Sequence, residues 1–154
     1  MELRSILTST KVGQVALANP PSFAPSDTIA AAVDGMRAHS HGSAVICSGR
    51  KLLGIFTERD LLRFIASGGN LETPLADVMT AAPKTLTVDA TLFDAVRSMD
   101  EGGYRRMPVV DAGGSPVGII DVKTITHFLV EHFPSAVYNQ ASHAQLLARH
   151  PEGA

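Results

Sequence analysis

The chain has 154 residues, 45% of them hydrophobic and 18% charged, with a formal net charge of −2. These are the proportions of a globular protein, long enough to bury roughly two-thirds of its unfolded surface. They offer no basic field for nucleic acid or an anionic membrane, and no apolar run approaches the ~20 residues of a membrane-spanning helix.

Residues 1–11 read as a short lead-in without the charged-then-apolar pattern of a signal peptide, so a soluble, cytoplasmic protein is expected. Pro20-Pro21 breaks any earlier helix, and 23–25 should be extended. Ser26 is a candidate N-cap, followed by Ile29, Val33 and Met36 on one face of a helix ending near His39. Two short apolar runs, 43–47 and 51–56, flank Ser48-Gly49-Arg50 and predict a hairpin. Cys47, the one cysteine, lies in the first run and reads as a small buried hydrophobe; no intrachain disulfide is possible, which fits a reducing compartment. A second helix opens at Thr57, carries Leu61, Leu62, Phe64 and Ile65, and stops at Gly68-Gly69-Asn70.

The order then recurs. Residues 84–88 are predicted extended, Asp89 takes the capping place of Ser26, and Leu92, Val96 and Met99 repeat the helix face. A second hairpin pairs 107–111 with 116–121, and 122–132 is a closing helix. Positions 63 apart carry the same residue repeatedly, among them Val15 and Val78, Pro20 and Pro83, Thr28 and Thr91, Ala32 and Ala95, Val33 and Val96, Met36 and Met99. Beyond Gly113-Gly114 the spacing becomes 64, pairing Gly54 with Gly118, Ile55 with Ile119 and Phe64 with Phe128. The expectation is an α+β fold of two β-α-β-β-α repeats, 12–67 and 75–133, packed on each other with approximate twofold symmetry. Residues 134–154 are expected to be a thinly amphipathic tail, either a terminal helix or a frayed or partner-packed segment.

The stretch that carries chemistry is Gly54-Ile55-Phe56-Thr57-Glu58-Arg59-Asp60. A strand feeding the open N-terminus of a helix presents free N–H groups and a positive dipole end to an anion. Asp60 there has two oxygens with which to accept from a vicinal diol such as that of a ribose. The same Thr-x-x-Asp is also a capping box that does no more than satisfy helix-end donors.

Together, the duplicated order, the hairpin entry Arg106-Met107-Pro108-Val109-Val110-Asp111 and the 54–60 stretch resemble a CBS-domain pair, or Bateman module, over about residues 12 to 133. The resemblance implies a regulatory module without catalytic activity. It would take an adenosine-containing ligand (AMP, ADP, ATP or S-adenosylmethionine) between the repeats, with no obligatory cofactor. It also implies a homodimer and an effector protein on another chain. Carried over to this sequence, the first site uses Thr57 and Asp60 from one repeat, with Pro83, Lys84, Tyr104, Arg105, Arg106 and the apolar Ile119 from the other. Carboxylate would meet diol; hydroxyl, helix end and guanidinium would meet phosphate. The second site departs from this pattern. Gly118-Ile119-Ile120-Asp121-Val122-Lys123-Thr124 exchanges hydroxyl and carboxylate, and the facing Pro21, His41, Gly42 and Ser43 include no arginine. That cleft is expected to be empty or to take a ligand without phosphate.

Two other classes compete. An enzyme would need a ligand set or a nucleophile motif, and His39, His41, His127, His132, His143 and His150 have neither metal spacing nor paired carboxylates. A ligand-free interaction or dimerisation module with a vestigial cleft fits the altered second site. Ligand-induced thermal stabilisation separates that reading from the sensor.

Overall fold

The computed structural model describes residues 3–132; the tail expected over 134–154 lies outside them. Its first element is a helix, Leu3–Ser9 (α1), where the sequence suggested only a lead-in. A 3-10 turn, Val12–Gln14, leads to the two-residue strand Ser22–Phe23 (β1). Ile29–Ala38 (α2), Ser43–Ser48 (β2), Lys51–Thr57 (β3) and Glu58–Ala66 (α3) complete the first half. A second 3-10 turn, Leu75–Asp77, precedes Thr80–Ala81 (β4) and Leu86–Thr87 (β5). Leu92–Gly102 (α4), Arg106–Val110 (β6), Pro116–Asp121 (β7) and Val122–His132 (α5) close the second half. The repeat expected from the 63-residue spacing is therefore present as β-α-β-β-α in each half.

Each half carries a small mixed sheet, ordered β1-β2-β3-β4 and β5-β6-β7. In both, a short strand before the helix pairs parallel to the first strand of the hairpin. The hairpins are antiparallel, with Ser43 opposite Thr57 and Arg106 opposite Asp121. β2 and β6 are buried along most of their length, as continuous apolar runs between a helix layer and the other half must be.

Both predicted caps of the first helices move by two residues. The N-cap of α2 is Thr28, whose hydroxyl accepts from the Ala31 N–H at 3.1 Å, and not Ser26. The N-cap of α4 is Thr91, which forms a full capping box with Asp94, and not Asp89. Asp27 is used in the preceding turn, accepting from Ala24 N–H, and Asp89 faces Lys11. The repeat itself held the signal: Thr28 and Thr91 match across the halves, while Ser26 and Asp89 do not.

The halves exchange their lead-in segments. Val12, Val15 and the flanking Leu7 belong to the core of the second half, with Leu86, Leu92, Met99, Met107, Ile120 and Ile125. Conversely Leu75, with Val78 and Met79 beside it, fills the core of the first half against Ile29, Met36, Ile46 and Phe56. The backbone follows the side chains. β4 pairs antiparallel with β3, placing Ala81 opposite Gly54, while Ala18 bridges to Ile119 of β7. A third cluster, Val45, Cys47, Ile55 and Ile119, seals the seam between the two sheets. Cys47 is thus a small buried seam residue, 9% exposed.

Two glycines make the exchange possible. A Cβ on Gly54 would lie 2.6 Å from Met79 Sδ and 2.9 Å from the Thr80 carbonyl oxygen. One on Gly118 would lie 2.7 Å from Leu17 Cβ and 2.9 Å from the Ala18 carbonyl oxygen. The matching glycines of the repeat are therefore set by close backbone approach of the crossing segment.

Candidate functional site

The end of β3 and the start of α3 bring Thr57 and Asp60 together as a capping box. Asp60 Oδ2 accepts from the Thr57 N–H at 3.0 Å and from its hydroxyl at 3.1 Å, while the Asp60 N–H donates to Thr57 Oγ1 at 3.2 Å. The crossing segment adds a group that sequence reasoning missed. Thr80 donates its hydroxyl to the same carboxylate, 3.3 Å from Oδ1. Its signal was present as a hydroxyl three residues ahead of Pro83, but only the crossing puts it beside Asp60. The half-buried carboxylate is thus fixed from both halves, and Oδ1, with one hydroxyl donor, keeps acceptor capacity. The Thr57 hydroxyl, by contrast, spends its one proton on Asp60. A phosphate at this helix end would rely on backbone N–H groups and on basic residues from the other half.

The remaining expected site residues fall into three groups. Pro83 and Lys84 follow Thr80 on the crossing segment, after Ala82, whose φ of 46° turns the chain and whose N–H donates to the Leu53 carbonyl at 2.9 Å. Pro83 is half-buried and Lys84 exposed. Arg106 enters from β6 and reaches the first turn of α3. Its Nη1 lies 2.9 Å from where a Cβ on Gly42 would stand, and the Glu58 carboxyl carbon lies 3.1 Å from the same point. Tyr104 and Arg105 are exposed at the entry to β6, and the Arg105 carbonyl accepts from Val122 N–H, closing the start of α5 in their own half. Among the described residues neither side chain has a hydrogen bond or ion pair to α3. Ile119 has no exposed surface: it is packed into the seam with Val45 and Ile55, so it supports the cleft from behind and is not an open wall.

In the second half, Asp121 is the hydroxyl position's replacement and caps α5. Its Oδ1 accepts from the Thr124 N–H at 2.6 Å and from the Thr124 hydroxyl at 2.8 Å. The pair lines a hollow of about 530 Å³ with Val15, His127 and Phe128. Pro20 and Ser22 instead line a separate cavity of about 350 Å³, together with Val45, Cys47 and Gly118. Arg50, on the β2–β3 turn, stands on that cavity's wall, and neither Asp121 nor Thr124 lines it. The predicted facing residues do not form an open wall: Ser43 is fully buried, and its N–H donates to His41 Nδ1 at 3.2 Å.

The corresponding box on α4 perturbs its carboxylate. The Thr91 backbone N–H and then its hydroxyl hold the Asp94 carboxyl below the usual aspartate value. Among the described residues no group of His, Cys, Asp and Glu could hold a metal ion, and no helix is long and apolar enough to cross a membrane.

Comparison with known proteins agrees with this geometry. An uncharacterized 17.7 kDa protein of Acidianus ambivalens is 32% identical over 124 residues, covering 80% of this chain and 75% of that protein. The CBS domain-containing protein CBSCBSPB3 of Arabidopsis thaliana is 35% identical over 124 residues, which is 77% of this chain but 22% of that much longer protein. Among solved structures, the CBS domain pair of MJ0100, in complex with 5′-methylthioadenosine and S-adenosyl-L-methionine, superposes with a TM-score of 0.70. It is 25% identical, and the match covers 80% of this chain and 98% of that one. CBSX2, in complex with AMP, gives a TM-score of 0.69 at 23% identity over the same shares, a likeness of fold. The CBS domain model matches twice, over residues 12–67 and 75–131. With two matched repeats, exchanged lead-ins and an aspartate capping box at the start of the helix that follows the first half's hairpin, the chain belongs to the CBS-domain family, as a tandem pair.

Proposed function

We propose that this chain is a regulatory sensor that binds an adenosine-containing ligand in the cleft between its two CBS repeats. The observation that carries the reading is the Asp60 carboxylate, held by Thr57 of one half and Thr80 of the segment crossing from the other. A group fixed from both sides couples a bound ribose to the relative position of the halves. The solved pair at 25% identity that holds 5′-methylthioadenosine and S-adenosyl-L-methionine supports the ligand class. In this reading Asp60 receives the ribose hydroxyls, Pro83 and Lys84 border the base and its edge, and Arg106 meets charge at the 5′ end. Tyr104 and Arg105 contribute only if the β6 entry closes on the ligand.

The ligand acts by preferring one arrangement of the halves, since equal affinity for two arrangements shifts neither. A partner protein reads the change, and the chain does no catalysis of its own. A second copy of the chain packs on α3, where Leu62 and Ile65 are 67% and 57% exposed. The second cleft, with Asp121 where the first has a hydroxyl, takes no phosphate.

Thermal unfolding with AMP, ADP, ATP, S-adenosylmethionine and NADH tests the reading. A ligand at a hundred times its Kd adds about 2.7 kcal/mol of stability. No stabilisation by any of them returns the chain to a pure interaction module.

A further inference from the structure

Arg106 and Glu58 come from different halves and converge on one residue without a side chain. The Glu58 N–H donates to the Gly42 carbonyl at 3.1 Å, which pins the first turn of α3 to residue 42. From there the Glu58 carboxyl folds over Gly42, with Oε1 3.2 Å and Arg106 Nη1 2.9 Å from where a Cβ would stand. The two opposite charges border the same gap, and among the described residues they do not close into a direct ion pair. Any larger residue at position 42 would push one of them aside.

From this juxtaposition we infer that Glu58 is a built-in anion competing with the ligand for Arg106, and that it sets the charge preference of the first cleft against phosphate. The inference rests on the proposal that an adenosine compound lies with its ribose on Asp60. The helix N-terminus and the guanidinium are the two groups from which a 5′-phosphate would gain, and Glu58 already occupies the field of both. A phosphate must displace that carboxylate or lie beside a like charge. An uncharged 5′ substituent meets no such opposition, and a cationic sulfonium is attracted. The second half has no counterpart: the matching position is Val122, which is 48% exposed and uncharged. Specificity here is obtained by a repulsive element as well as by the contacts that attract.

Isothermal titration of the full chain with AMP, 5′-methylthioadenosine and S-adenosylmethionine tests this in the wild type, Glu58→Gln, Arg106→Gln and the double variant. Removing the charge in Glu58→Gln tightens AMP by about tenfold, leaves 5′-methylthioadenosine within about twofold, and weakens S-adenosylmethionine. In the Arg106→Gln background the gain for AMP disappears. If AMP and 5′-methylthioadenosine both bind and Glu58→Gln leaves the ratio of their Kd values unchanged, the inference is overturned while the sensor reading stands. If no compound binds the wild type or Glu58→Gln at unaltered melting temperature, the sensor reading falls and the inference falls with it.

Discussion

Thr80 donates its hydroxyl to Asp60 across the boundary between the two repeats, at 3.3 Å. The donor sits in the segment leading into the second half, and the acceptor caps a helix of the first. One carboxylate therefore reports on the junction of the halves while holding its own helix start.

Substitution of Asp60 separates these roles. Asp60→Ala removes the acceptor of the capping box and should cost about 1 kcal/mol of stability by chemical denaturation. It should also abolish the ligand-induced rise in melting temperature. Thr124→Ala loses only a donor to Asp121 in the other half and should leave that rise in place. Equal loss in both variants would argue against Asp60 as the ribose residue.

The exchange of lead-ins predicts where damage will be felt. Leu75 has no exposed surface and lies in the core with Ile29, Met36 and Phe56. Leu75→Ala should destabilise by about 3 kcal/mol, the usual scale for a buried leucine left as a cavity. Hydrogen exchange should show the loss first in α2 and β2, although Leu75 belongs to the second repeat by sequence. Protection lost first in α4 and β6 would contradict the exchanged core.

Gly54 and Gly118 should resist even a methyl group. At Gly54 the obstruction includes the Thr80 carbonyl oxygen at 2.9 Å, and at Gly118 the Ala18 carbonyl oxygen at 2.9 Å. Backbone cannot step aside as a flexible side chain can, so each Gly→Ala change should cost about 1–3 kcal/mol in urea unfolding. Gly49→Ala, where nothing lies within 4 Å, is a control for the general effect of adding a methyl group, with its own strain at φ 59°. The Gly54 variant should in addition weaken ligand binding, because β4 carries Thr80.

The α4 box gives the pH dependence. Hydrogen bonds from the Thr91 N–H and hydroxyl lower the Asp94 pKa in the folded state. A depressed carboxylate contributes stability that is fully present above its unfolded value of about 3.9 and is lost as pH falls through the folded one. Thr91→Ala should therefore cost about 1 kcal/mol at neutral pH and flatten the acid limb of the stability curve below pH ~4. Asp94→Asn should flatten the same limb. An acid limb unchanged by both variants would place its origin elsewhere.

Much of the molecule is legible in the chain read by itself. The 63-residue spacing, the two apolar hairpins and the helix faces at Ile29-Val33-Met36 and Leu92-Met99 specify a β-α-β-β-α repeat, because strand and helix periodicities are local properties; Val96, expected on the second face, is exposed, and Ala95 is buried in its place. Thr57 and Asp60 are likewise legible, since a capping box spans only one turn. The cap at Thr28 was present in the repeat, as its match with Thr91, and its hydroxyl accepts from the Ala31 N–H. What the tertiary structure decided is which half each crossing segment enters. Leu75 lies in the first core, Val12 in the second, Thr80 on Asp60, and Glu58 opposite Arg106 over Gly42. Local periodicity carries no information about that choice, because an apolar residue satisfies its burial equally well in either of two similar cores. The choice is made by long-range pairing of β4 with β3 and of Ala18 with Ile119, where a glycine lets one backbone come close enough to another to close the sheet.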